Sequence, residues 1–212
     1  MFWKTFSSII VPLFILVPIT IGIFKYKVLP VSLKIIWFYL IITAVINTSA
    51  TIIGRVFHSN NMPLLHLFTL IEGVMFIWFY KYLSQSNTKN KWFTFLQTGF
   101  VIVCVLNALF FQSIYAYSSY TRYVESIICI LFALNFFAKI AASDTKPLKL
   151  PAFYFNTGVF LYFSGSFVLF IFSNFILQKL SASTMLIFWS GHSALVLLMY
   201  ILFSTGFILC KE

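Results

Sequence analysis

The sequence predicts an all-α fold, a bundle of seven membrane-spanning helices that forms a single domain over residues 1–212. Composition, seven apolar runs and an uneven distribution of basic residues predict it. Of the 212 residues 61% are hydrophobic and 8% are charged, whereas a soluble domain is about 25% charged. Seven crossings of about 20 residues each occupy nearly the whole chain. We therefore expect no separate soluble domain.

The apolar runs are each long enough to cross a hydrocarbon layer of about 30 Å. They cover residues 7–24, 33–54, 63–83, 92–111, 120–140, 151–177 and 183–209. Pro12 and Pro18 interrupt the first run, which predicts a kinked helix. We expect this helix to be retained, because no small-residue cleavage site of a signal peptide follows it.

Basic residues are distributed unevenly among the connections. The chain has 14 Lys and Arg against 4 Asp and Glu. If the N-terminus lies outside, ten of the 14 face the cytoplasm, and Lys4, Arg55, Arg122 and Lys179 lie outside. Because cytoplasmic loops are enriched in positive charge, we expect an N-out, C-in protein of the bacterial inner membrane.

The same basic surplus bears on partners. Scattered lysines are expected to contact anionic head groups of membrane lipids. Nucleic acid is not an expected partner, because the sequence has no basic stripe with interleaved stacking aromatics.

Ionisable residues at membrane depth mark the candidate site. Placing one there costs at least about 2.5 kcal/mol, so it implies a partner, a cavity or a function. Two histidines and two glutamates qualify, and we expect them at the midplane or in the outer half of the bundle, in one layer with an asparagine and an arginine. The predicted ligand-binding pocket is Glu72, His66, His192, Glu125, Asn47 and Arg122.

Each of these residues can also serve a purely structural role. Arg122 and Glu125 stand at i and i+3, which favours a local ion pair near the interface. His192 can equally hold its helix to a neighbour. Glu72 has no charge within one turn of its own helix, so a structural role is weakest for this residue. We expect it to point into the bundle and to be protonated unless His66, His192 or Arg122 approaches it.

The spacing of these residues predicts no metal site. HxxxH and ExxH patterns are absent, and Cys104, Cys129 and Cys210 form no CxxC pair. The last run has no midplane lysine for a Schiff base, and the chain has no nucleophile elbow or phosphate loop. The sequence identifies no cofactor, and these features disfavour an enzyme.

Small residues recur in the sixth run, at Gly158, Ser164, Gly165 and Ser166. They favour a close contact with another helix over a substrate path. The tyrosines at 115, 117, 120 and 123 fit an interfacial belt at the outer surface or, alternatively, the rim of a pocket.

Two segments resemble a known group of proteins. They are Trp189–Ser193 in the last run, and Asn61, Pro63, His66 and Glu72 around the start of the third. Both are similar to small seven-helix integral membrane proteins of Bacteroidetes. The resemblance implies seven helices and a polar pocket shared by the third and seventh. That family has no settled activity to carry over.

Three functions fit these expectations. The leading hypothesis is a sensor or receptor-like module with an outward-facing polar pocket. It would act through a cytoplasmic or membrane signalling partner, because the expected cytoplasmic C-terminus is too short to signal alone. The alternatives are a small transporter or channel that uses Glu72 as a midplane carboxylate, and a lipid-modifying membrane enzyme, for which no nucleophile and base are visibly paired. Seven helices alone do not discriminate among them.

Overall fold

The structure, a computed structural model, describes residues 2–84 and 90–211. Every regular element in these residues is helical, and none is a strand. Seven helices are long and apolar enough to cross a membrane. They are α1 (Phe2–Lys25), α2 (Val31–Arg55), α3 (Met62–Leu83), α4 (Lys91–Phe111), α5 (Ser119–Ala141), α6 (Pro151–Lys179) and α7 (Ala182–Ile208).

The helix bounds agree with the predicted apolar runs to within two residues, except at the start of α1, which begins five residues earlier. The first half of α1 includes a π-helical segment, Phe6–Ile10. A second irregularity lies at Ile15, between the α-helical segments Val11–Phe14 and Leu16–Lys25. It stands three residues before Pro18, which has no N–H to donate to the Phe14 carbonyl. The irregular first helix was therefore foreseeable from its prolines.

Side chains at the ends of two connections define where helices begin. The Asn60 side chain accepts a hydrogen bond from the backbone N–H of Met62 at 2.8 Å, and Pro63 fits the first turn of α3. The Ser181 hydroxyl accepts from the backbone N–H of Thr184 at 3.3 Å and caps α7. Both caps satisfy donors that the first helical turn leaves without a partner.

The helices pack mainly against their neighbours in the chain, and α1 also contacts α7. The bundle is thereby closed, with α3 in contact with α5 and α4 packed chiefly against α3. The most buried helices are α2, α3 and α6. Thr43 on α2, Glu72 on α3 and Asn156 on α6 are almost fully enclosed by protein.

Two glycines of α6 lie close to side chains of α7. A Cβ added to Gly158 would come within 2.9 Å of Phe203, and one added to Gly165 within 2.7 Å of Leu195. A residue without a side chain lets the two helices approach this closely without displacing these neighbours. The predicted role of the small residues in the sixth helix is thus confirmed for these two glycines.

Candidate functional site

Glu72 lies near the middle of α3 and has no exposed surface. Its side chain points into the bundle, as expected. One carboxylate oxygen accepts a hydrogen bond from the Tyr39 hydroxyl of α2 at 2.5 Å, and the other accepts from the Arg122 guanidinium of α5. The approach of Arg122 is one of the conditions under which we expected this carboxyl to be ionised. Glu72 therefore connects three helices.

Two aromatic rings contact the Arg122 guanidinium. Its guanidinium carbon lies 5.0 Å from the ring centroid of Phe68 and 5.1 Å from that of Phe170, an arrangement that stabilises a desolvated cation. The same nitrogen that bonds to Glu72 lies 3.2 Å from a carboxylate oxygen of Glu125. The predicted i, i+3 pair therefore exists. The pair is buried and shared, since Arg122 is 6% exposed and also pairs with Glu72. Its place near the membrane interface stays a prediction.

This cluster contains two carboxylates and one guanidinium. The second oxygen of Glu125 is buried and accepts no hydrogen bond from the residues that the structure describes. No other Lys, Arg or His of the described residues forms an ion pair with either carboxylate. With both acids ionised the cluster carries one uncompensated negative charge, which is costly in a low-dielectric interior. It can be balanced by a proton or by a bound cation.

A cavity of about 210 Å³ lies beside this cluster. We call it the Glu72 cavity. Side chains of α2, α3, α5, α6 and α7, together with one residue of the connection before α5, form its walls. They are Tyr39, Thr43, Asn47, Leu65, Phe68, Glu72, Tyr117, Arg122, Tyr162, Trp189, His192, Val196, Met199 and Tyr200. It occupies the half of the bundle in which α3, α5 and α7 begin.

His192 belongs both to this cavity and to a helix contact. Its Nδ1 atom lies 2.9 Å from the Ser166 hydroxyl of α6, and its ring contacts Tyr162, Phe170 and Trp189 with centroids 5.4 to 5.7 Å apart. The two roles expected for His192 therefore do not exclude each other. Its ring helps to form the cavity wall while it joins α6 to α7.

Two further polar residues of α2 line the Glu72 cavity. Asn47 is partly exposed and also borders a separate hollow between α1 and α2. The Thr43 hydroxyl is buried and has no hydrogen-bond partner among the described residues. Burying a hydroxyl without a hydrogen-bond partner costs free energy. Thr43 therefore favours a polar ligand or a water molecule in the cavity.

His66 does not line the Glu72 cavity, which corrects the expectation that it shares this pocket. Its Nε2 atom lies 2.9 Å from the Ala116 carbonyl oxygen, and its side chain borders a different hollow beside Cys104 and Thr121. Six residues separate His66 from Glu72, which places them about 120° apart around α3. His66 therefore ties α3 to the connection that precedes α5.

Sequence reasoning missed three tyrosines of the cavity wall, Tyr39, Tyr162 and Tyr200. All three are less than 5% exposed. Their position in the sequence could have identified them. Tyrosines of an interfacial belt lie near the ends of spanning helices, whereas these three lie well inside their apolar runs. A tyrosine at that depth needs a hydrogen-bond partner or a cavity.

The tyrosine cluster before and within the start of α5 is divided by the structure. Tyr115 and Tyr120 are exposed, as an interfacial belt requires, whereas Tyr117 is 7% exposed and lines the cavity. Burial raises the pKa of the Tyr117 phenol, and the nearby Arg122 guanidinium opposes that shift. Tyr117 therefore belongs to the pocket rim.

The described part of the chain holds no group of three His, Cys, Asp or Glu side chains placed to bind a metal ion. Cys104, Cys129 and Cys210 are buried and unpaired. Comparison with protein-family models, with curated proteins and with solved structures finds no match. The class defined by fold and site is accordingly a bundle of seven apolar helices around a buried cluster of two acids and one arginine. The resemblance to the Bacteroidetes proteins stays a prediction.

Proposed function

We propose that this chain is a multi-pass protein of the bacterial inner membrane, oriented N-out and C-in and related to the small seven-helix proteins of Bacteroidetes. Seven apolar helices support the membrane placement. The orientation is supported by the basic residues. Since Arg122 is buried in the bundle, Lys4, Arg55 and Lys179 are the three that remain outside, against ten inside.

The chain would act as a sensor or receptor-like module whose Glu72 cavity binds a small organic cation and which signals through a partner protein. One observation carries this proposal: two buried carboxylates share a single guanidinium beside a cavity lined with aromatic rings. A bound cation would balance the remaining negative charge. Trp189 and Tyr162 supply ring faces that attract ammonium groups.

The size of the cavity limits the ligand. Its volume of about 210 Å³ is below the range of about 300–1,000 Å³ that is typical of drug-sized ligands. The Thr43 hydroxyl, which has no partner among the residues described, would accept a hydrogen bond from an ammonium N–H. Binding would change the contacts of Glu72 with Tyr39 and Arg122, and so the contacts of α3 with α2 and α5. Such a change is what a partner protein could detect.

The test measures thermal unfolding of the purified chain in detergent with methylammonium or tetramethylammonium chloride, against sodium chloride at equal ionic strength. A ligand at one hundred times its Kd stabilises by about 2.7 kcal/mol. We expect this stabilisation to disappear in Glu72→Gln and to persist in Asp144→Asn, which removes an exposed carboxylate. Absence of stabilisation by either ammonium ion, or its full retention in Glu72→Gln, would contradict the proposal.

A second function is favoured by the buried Glu125 oxygen, which has no hydrogen-bond partner in the part of the chain that the structure describes. It leaves room for one proton in the cluster, and a site that exchanges a proton for a cation can support coupled transport. Proteoliposomes distinguish the two functions. A transporter takes up labelled methylammonium in response to a pH gradient and loses uptake in Glu72→Gln, whereas a sensor binds the ion without uptake.

Orientation is tested separately by cysteine labelling in cells with an impermeant maleimide. Ser59→Cys should react from outside, and Ser143→Cys should react after permeabilisation, since both positions are exposed at opposite ends of the bundle. The native cysteines are buried, and burial raises the pKa of the Cys210 thiol, which slows its reaction further. Labelling of Ser143→Cys in intact cells would reverse the proposed orientation.

A further inference from the structure

A second cavity, of about 360 Å³, lies at the opposite end of the bundle from Glu72, where α3 and α5 end and α6 begins. We call it the Lys139 cavity. Its walls are mainly apolar. Phe93 stacks on Phe132 with 5.4 Å between ring centroids, and Tyr80 lies 5.1 Å from the same ring. Leu150 adds an aliphatic wall from the connection before α6.

Lys139 is the positively charged residue in the wall of this cavity. It lies in the last turn of α5, is exposed, and forms no ion pair with any carboxylate that the structure describes. The hydroxyls beside it are already engaged, since Ser143 donates to the Ile140 carbonyl at 2.8 Å and lies 2.7 Å from the Thr145 hydroxyl. The ammonium group of Lys139 is therefore a charged donor that remains open to an anion.

The surroundings of Lys139 are also basic. Lys146 and Lys149 lie in the exposed connection that contributes to the cavity, and Lys81 lies in the last turn of α3. Asp144 is the acidic residue in the same connection. Four lysines and one aspartate thus lie on the elements that form this apolar hollow, and a net positive charge of this kind attracts anionic lipid head groups.

We propose that the Lys139 cavity binds an anionic phospholipid, with an acyl chain against the Phe132 wall and the phosphate at Lys139. The proposal rests on the membrane placement above but is independent of ligand binding at Glu72. Apolar walls favour the chain, and the lysine favours the phosphate. The volume lies within the range typical of ligand pockets. A zwitterionic lipid offers the same chain without net charge, so it should bind less tightly.

The experiment counts bound lipid by native mass spectrometry on the delipidated full chain in a nonionic detergent, titrated with phosphatidylglycerol or phosphatidylcholine. We expect tighter binding of phosphatidylglycerol. Lys139→Gln should weaken it about fivefold, since one lysine near the head groups contributes that much. Lys27→Gln removes an exposed lysine outside the cavity and should leave the affinity unchanged. Equal affinity for the two lipids, or equal loss in the two variants, would overturn the proposal.

Two further measurements separate a lipid seated in the cavity from an ionic contact at the surface. Ala152→Phe fills part of the cavity while keeping Lys139, and it should reduce the bound phosphatidylglycerol. Sodium phosphate at matched concentration should not displace the lipid. Unchanged binding in Ala152→Phe, or displacement by free phosphate, would show the ionic contact only and overturn the proposal. Glu72→Gln should retain lipid binding, so failure of the cation proposal and failure of this one are seen separately.

Discussion

The Glu72 cavity and the Lys139 cavity use charge in opposite ways. In the first, the charged groups are buried and bonded to one another across α3 and α5, and Tyr39 of α2 bonds to one of them. In the second, the walls are apolar, and the charge is an exposed lysine without an acidic partner among the described residues. A buried charge is tolerated when it is paired, whereas an exposed one needs no partner. Changes at the first cavity should therefore affect stability, and changes at the second should affect binding.

The largest effect is expected from removing the cation of the Glu72 cluster. Arg122→Leu would leave two buried carboxylates without their guanidinium. Loss of one partner of a buried ion pair costs about 3–5 kcal/mol. We expect a correspondingly lower free energy of unfolding, measured by chemical denaturation in detergent. The matched change at an exposed arginine, Arg55→Leu, and Lys139→Gln at the other cavity should each stay within about 0.5 kcal/mol.

A rescue experiment shows whether charge causes the loss. Adding Glu72→Gln and Glu125→Gln to Arg122→Leu removes both uncompensated carboxylates and should recover a large part of the stability. If the triple variant is no more stable than Arg122→Leu, lost packing against Phe68 and Phe170 is the cause, and the contrast between the two cavities fails.

Much of the fold could be predicted because its signals are local. Seven apolar runs, each bounded by turn or polar residues, place the helix ends within two residues except at α1. Even the irregular first helix follows from Pro12 and Pro18. These signals need no knowledge of which helices touch.

The site could be predicted only in part, because its geometry depends on contacts between residues of different helices, which the sequence alone does not show. Membrane depth identified Glu72 as a buried acid in need of a partner. It did not show that Arg122, fifty residues later, is that partner. Depth alone also grouped His66 with Glu72, although their directions on α3 separate them. The search for charged residues at membrane depth did not include Tyr39, because its phenol is neutral.

The next largest effect is expected from a Tyr→Phe substitution made at two buried positions with different hydrogen-bond partners. The Tyr39 hydroxyl donates to the Glu72 carboxylate at 2.5 Å, and the Tyr80 hydroxyl donates to the Asn156 side-chain oxygen at 2.9 Å. A hydrogen bond to a charged group contributes about 1.5–3 kcal/mol, and one between neutral groups about 0.5–1.5 kcal/mol. Tyr39→Phe should therefore destabilise more than Tyr80→Phe in the same unfolding assay. Equal losses would indicate that Glu72 is neutral.

The smallest effect concerns the helix contact at the wall of the Glu72 cavity. The 2.9 Å contact between Ser166 and His192 should contribute about 0.6 kcal/mol, the mean for hydrogen bonds between membrane helices. A double-mutant cycle with Ser166→Ala and His192→Phe isolates this coupling, because Phe keeps an aromatic ring beside Trp189. The control cycle uses Ser164→Ala, since that hydroxyl donates to the Phe160 carbonyl of its own helix and should show no coupling to His192. Equal coupling energies in the two cycles would mean that His192 is held by ring packing alone, and its Nδ1 would then be free for a ligand.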